Sequence, residues 1–232
     1  MGISLKLAAR DPTKRSAYNR GFAGELAAGV WTPAAFSMPG RISALPASVV
    51  APKPVVVAKL QTLGTDTIQA AIARLTEAIS ERHRATPNLI LLGIANGGIV
   101  LAQRIAQKVK SARVGTLDIS FHRDDIGRNP IPKEFVPTAI PADVHGATVI
   151  LVDDVLFSGR TVKAALDELF DHGRPQKVEL AVLVDRTGRM LPVAADYTGL
   201  TLDPAADEKV TVHLDAQDPK ADTIEIHRQA QR

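Results

Sequence analysis

Apolar and polar positions alternate in two periods along this chain, and the periods mark its elements. Ile68, Ala71, Ile72, Leu75 and Ile79 recur at helical spacing, predicting an amphipathic helix over Thr67–Arg84 with Thr65 or Asp66 as its cap. Leu89–Ile94 (LILLGI) is a continuous apolar run, as a strand covered on both faces requires. Asn96-Gly97-Gly98 follows, and Ile99–Lys110 is again helical. Val114–Phe121 reads as a strand, Thr148–Val152 as a second buried strand, Arg160–His172 as a helix and Val178–Val184 as a strand. Lys209–Leu214 and Thr223–His227 alternate strictly, like edge strands. Strand and helix units in alternation predict an α/β fold, a doubly wound, mostly parallel sheet.

Two stretches break the pattern. From His122 to His145, Pro130, Pro132, Pro137 and Pro141 exclude a long helix or a central strand. A loop this long inside a compact domain is usually functional. Asp185–Gly199 is irregular as well. Order is expected to begin near Val55. Residues 1–54 are rich in Gly, Pro, Ala and Ser and hold the only Trp, Trp31. They read as a poorly ordered extension with one short helix near Tyr18–Ala28. A basic targeting peptide, a disordered arm and a start placed upstream of Met38 all fit this composition.

Charge refines the picture. The net charge is +3, yet residues 1–54 hold seven basic against two acidic residues. The remainder has 21 basic and 23 acidic residues, a poor balance for a protein built to grip nucleic acid. No apolar run is long enough for a membrane span. The chain has no Cys, which excludes disulfides and thiolate metal sites and fits a reducing, cytoplasmic setting. The six His are scattered and suggest no metal cluster.

Chemistry concentrates in Val149–Thr161. An apolar strand ends in Asp153-Asp154, and Ser158-Gly159-Arg160-Thr161 opens a helix. The first turn of a helix presents free N–H groups and a positive dipole end to an anion. Gly159 lets the backbone approach that anion, and Ser158 and Thr161 add hydroxyl donors. Asp153 and Asp154 can accept hydrogen bonds from two ribose hydroxyls. Sugar at one end and phosphate at the other describe a ribose 5-phosphate cradle.

This segment resembles the phosphoribosyl pyrophosphate (PRPP) motif of type I phosphoribosyltransferases. The match runs from about Thr67 to the C-terminus. Leu117–Asp125 (LDISFHRDD) is similar to the Asp-Ile-Thr-x-Tyr-Arg-Asp-Asp stretch of the pyrimidine operon regulator/uracil phosphoribosyltransferase family (PyrR-type). Gly173-Arg174-Pro175, Leu180–Arg186 and Leu191–Gly199 resemble that family too. Phe157 stands where purine enzymes of similar motif carry an Asp facing the base, which favours a pyrimidine.

The resemblance implies the remaining roles. Asn96, Gly97 and Gly98 take the place of the pyrophosphate loop, without the Arg that many relatives carry there. Arg123 neutralises departing pyrophosphate and begins a flexible lid. Asp124 and Asp125 either steer Mg²⁺ or pair with Arg123, and Mg²⁺ is held mainly through PRPP. Arg186, Thr187, Gly188, Arg189, Leu191 and Pro192 correspond to a small hood near 185–199 over uracil. The family's Asp-Arg-Gly-His-Arg-Glu-Leu-Pro is Asp-Arg-Thr-Gly-Arg-Met-Leu-Pro here, so a His and a Glu are missing. The expected reaction is uracil + PRPP → UMP + pyrophosphate, in a homodimer or larger assembly. The alternative is a UMP-sensing regulator that binds leader RNA. Arg74 is the main basic residue of the helix such a face would use, so RNA binding is the weaker expectation; DNA and membrane are not expected.

Overall fold

A computed structural model describes residues 55–57, 62–123 and 136–228. The expectations for residues 1–54, including the short helix and Met38, and those for Asp124 and Asp125, lie outside the described residues. The elements run β1 (Val55–Val57), β2 (Thr62–Leu63), α1 (Thr65–Arg82), β3 (Leu89–Ile94), α2 (Gly98–Lys108), β4 (Ala112–Leu117) and β5 (Thr148–Leu156). Then come α3 (Arg160–Asp171), β6 (Lys177–Arg186), β7 (Tyr197–Leu202), β8 (Glu208–His213) and β9 (Thr223–Arg228).

Six strands form one sheet in the order β1-β7-β6-β5-β3-β4, every neighbouring pair parallel. Its apolar runs are continuous because helices cover both faces. Side chains alternate between two cores. Leu89 and Leu91 of β3 and Ile150 and Val152 of β5 pack with α1 and α2. Ile90 and Leu92, with Val149 and Leu151, pack with α3 on the other face. The predicted α1 stripe of Ile68, Ala71, Ile72, Leu75 and Ile79 is buried throughout. Helix α1 starts after Gly64 rather than from a Thr65 or Asp66 cap; the Thr65 hydroxyl instead donates to the Lys220 carbonyl at 2.9 Å.

β2, β9 and β8 make a separate antiparallel sheet. Asp222 ties it to α2 by pairing with Arg104, and to α1 by accepting from Gln69 at 2.7 Å. At the start of β6, His83, Glu179 and Tyr197 form a buried network. The Tyr197 hydroxyl donates to Glu179 Oε2 at 2.8 Å, and His83 Nε2 lies 2.7 Å from the same oxygen.

Two sequence expectations need correction. β5 does not stop at Val152. It continues to Leu156, pairing Val155 with Val184 and Leu156 with Asp185, so both aspartates lie inside the strand. The segment Asp185–Gly199 is not irregular throughout: β6 reaches Arg186, and Tyr197 already opens β7, an internal strand.

Candidate functional site

The carboxyl ends of β3 and β5 and the first turn of α3 surround a cavity of about 700 Å³. Ligands of open α/β sheets bind at this end of the strands. Asp153, Asp154, Arg123, Gly97, Ser158, Arg160 and Thr161 line it. Asn96, Gly98, Phe157 and Gly159 are not among its lining residues.

Asp153 is buried and Asp154 half-buried. Burial pushes the Asp153 carboxyl well above the usual carboxylate range, and the neighbouring Asp154 charge adds to this. Burial also raises Asp154, against hydrogen bonds from Asp153 and from backbone N–H groups and the positive charge of Lys209. The Val155 N–H donates to Asp154 Oδ1 at 2.7 Å, and the Asp154 N–H donates to Asp153 Oδ1 at 3.0 Å.

Close backbone packing sets the second wall. The Ala95–Asn96 peptide is cis. A side chain on Gly97 would collide with the Asp154 carboxylate, and one on Gly98 with the Val152 carbonyl oxygen. The head of α2 therefore rests directly on β5 beside the aspartates. Gly97 and Gly98 stand in the expected pyrophosphate loop. Their φ values are not positive; what the structure requires of them is contact.

Gly159, at φ +91°, turns the chain from β5 into α3, so its left-handed conformation is required there. Ser158 Oγ accepts from the Arg160 N–H at 3.3 Å. The segment after β6 folds onto this turn. The N–H groups of Met190 and Leu191 donate to the Ser158 carbonyl at 3.1 and 2.9 Å. Arg189 donates to the carbonyls of Leu156, Phe157 and Arg186 and pairs with Asp185. Arg189 is thus a brace that fixes residues 186–191 against the end of β5. Arg186 is buried over the Phe157 ring, and Gly188 sits at that ring's edge. The Thr187 N–H donates to the Leu202 carbonyl at 3.2 Å, and Pro192 is exposed. Arg74 donates to the Gly199 carbonyl at 2.8 Å, which commits one of its nitrogens to the fold.

Sequence reasoning missed two features. Lys209 acts on Asp154 from β8, some 55 residues along the chain, and no local pattern signals it. The histidines are also less scattered than their positions in the sequence suggest, because His122 meets Glu168 and Asp171.

The described geometry fits a known family. A profile described as "Phosphoribosyl transferase domain" matches residues 64–217. The "Bifunctional protein PyrR" of Leifsonia xyli subsp. xyli is 46% identical over 171 residues, covering 68% of this chain and 92% of that protein. The chain belongs to the PyrR-type phosphoribosyltransferases. A second PyrR, from Corynebacterium glutamicum, is 44% identical over 182 residues, covering 74% of this chain and 94% of its own length. Solved structures agree on the phosphoribosyltransferase fold. A hypoxanthine-guanine phosphoribosyltransferase from Bacillus anthracis superposes with a TM-score of 0.51 at 20% identity, covering 64% of this chain and 85% of that one. The Trypanosoma cruzi hypoxanthine phosphoribosyl transferase gives 0.52 at 18%, covering 71% and 89%. At such identities the likeness concerns the fold, not the base.

Proposed function

We propose that this phosphoribosyltransferase converts uracil and PRPP to UMP and pyrophosphate. One observation carries the reading: a single cavity has the Asp153–Asp154 pair on one side and Ser158, Arg160 and Thr161 at the head of α3 on the other. The 5-phosphate of PRPP takes the α3 end, where amide groups and hydroxyls converge. The ribose hydroxyls donate to the two aspartates.

Catalysis is then positioning and electrostatics. As the C1–O bond to pyrophosphate breaks, positive charge grows on the sugar ring, and the aspartates stabilise it. Arg123 faces the departing diphosphate, and uracil N1 forms the new bond to C1. The stacked Phe157 offers no proton acceptor to a purine N7, which supports a pyrimidine.

The donor set suits Mg²⁺ carried by the substrate. Asp153 and Asp154 are the only carboxylates among the described residues lining the cavity, too few for a protein cage but enough beside phosphate oxygens. When bound, the ion supplies charge neutralisation of pyrophosphate.

The test is a steady-state assay with PRPP, Mg²⁺ and each base in turn. UMP formation with uracil, and no comparable nucleotide from hypoxanthine or guanine, is expected. Turnover of purines alone would refute the uracil assignment. A second reading, a UMP-sensing RNA-binding regulator in a homo-oligomer, is favoured by the word "bifunctional" in the relatives' name. Salt-dependent binding of a pyrimidine leader transcript tests it.

A further inference from the structure

Outside the catalytic cavity, three side chains from two distant segments converge. His122 lies in the turn after β4, and Glu168 and Asp171 occupy the last turns of α3. One ligand-type atom from each lies within 4.8 Å of the others. His122 Nε2 is 3.1 Å from Glu168 Oε2 and 3.5 Å from an Asp171 oxygen. His172 Nε2 stands 3.1 Å from the other Glu168 oxygen, Oε1.

We propose that His122, Glu168 and Asp171 bind a divalent cation of the zinc class, with water completing its shell. Three observations carry this. The spacing is right: a tetrahedral ion with bonds of about 2.0–2.1 Å sets its ligands roughly 3.3–3.5 Å apart. The donor set is also right, since an imidazole and two carboxylates suit zinc, cobalt or nickel, whereas magnesium prefers oxygen alone. Finally, Glu168 is already oriented. The Thr138 hydroxyl donates to its Oε1 at 2.8 Å, leaving Oε2 turned to His122. Such outer hydrogen bonds hold ligating carboxylates in place.

With a neutral imidazole ligand, the two carboxylates balance a doubly charged ion. The site is open to solvent on the Asp171 side, where the side chain is 71% exposed, so an ion can enter. It also differs from the substrate's magnesium in place and in ligands. His122 adjoins Arg123, which lines the catalytic cavity, so a bound ion would fix the backbone one residue from the cavity wall.

The test is titration of the full chain with Zn²⁺ against a chromophoric chelator, in millimolar Mg²⁺. One equivalent is expected to bind at micromolar or lower free zinc. His122→Gln keeps a hydrogen-bond donor but is a poor ligand; it and Asp171→Asn should each weaken binding at least about tenfold. Asp153→Asn should bind zinc normally, which separates this site from the catalytic carboxylates. Cobalt bound to the wild type should give the visible absorption bands of a four-coordinate ion, lost in His122→Gln. No zinc binding by the wild type, or equal binding by His122→Gln and Asp171→Asn, overturns the proposal. Should His122→Gln not fold, the exposed Asp171→Asn decides alone.

Discussion

The guanidinium of Arg186 lies 3.8 Å from the centre of the Phe157 ring. The pair joins the end of β6 to the turn that opens α3, and Arg189 braces both segments through their backbone carbonyls. Arg186 is buried, and its Nε makes no hydrogen bond among the described residues. Its burial is offset by the ring face and by the negative charge of Glu208. A cation so desolvated gains about 2 kcal/mol from an aromatic ring.

Phe157→Ala should accordingly loosen residues 186–191, the expected hood over uracil. The expected outcome is a rise of about tenfold in KM for uracil, as the loosened segment gives up about 1.4 kcal/mol of binding, with little change in KM for PRPP. Phe157→Tyr keeps the ring and should behave as wild type. Steady-state kinetics with each substrate varied checks this.

Asp153→Asn should divide activity from stability. Loss of the carboxylate proposed to stabilise the sugar cation is expected to lower kcat/KM about 100-fold or more. The folded pKa of Asp153 is raised, so the carboxyl favours folding while protonated, and that contribution is lost as pH rises through the folded pKa. Asn never ionises, so the variant's melting temperature at neutral pH should exceed that of the wild type. A variant that is both slower and less stable would argue against this account.

The same shifts set the acid limb of the pH–rate profile. Burial, then the pair's mutual repulsion in the case of Asp153, holds the aspartates protonated to higher pH than ordinary carboxylates. kcat/KM for PRPP should therefore fall on acidification above the usual carboxylate range. Lys209 favours the ionised form of Asp154, so Lys209→Met should move that limb to still higher pH. A limb that stays in place when Lys209 is replaced would remove Lys209 from the site's electrostatics.

Glu179 gives the fold its own acid sensitivity. Burial opposes its charge, but hydrogen bonds from His83, Lys177 and Tyr197 hold the carboxyl at about 2. A depressed carboxylate contributes stability above its unfolded value near 4.5, and loses it as pH falls toward 2. Denaturant midpoints measured across that window should decline. Glu179→Ala should flatten the decline and destabilise the protein by about 1–3 kcal/mol at neutral pH, because the buried His83 ring and Tyr197 hydroxyl lose their hydrogen-bond partner.

Much of this was legible in the chain because burial on both faces leaves uninterrupted apolar runs. LILLGI is β3, and the spacing of Ile68 to Ile79 gives the buried side of α1. The reading failed where a residue type has two uses. Gly199 closed the stretch read as irregular, yet it sits inside β7, where a side chain would collide with the Leu183 carbonyl and crowd Ala71 of α1. Asp153 and Asp154 looked like a strand end because carboxylates rarely enter a sheet; the ladder with Val184 and Asp185 carries β5 past them. The meeting of His122 with α3 leaves no trace in local spacing, since a chain reversal of some 45 residues brings them together.

The missing side chains at Gly97 and Gly98 have a consequence for how this enzyme can change. Two stretches separated by more than fifty residues share one surface there, without so much as a methyl group between them. Neither can be enlarged while the other stays put, so engineering for a bulkier sugar is blocked from that side. Phe157 and residues 186–191 are held instead by side chains, the Arg186–Phe157 pair and the Arg189 hydrogen bonds, which single substitutions can alter; on the proposed reading, the nucleobase is then the more adjustable partner and the ribose phosphate the more fixed one.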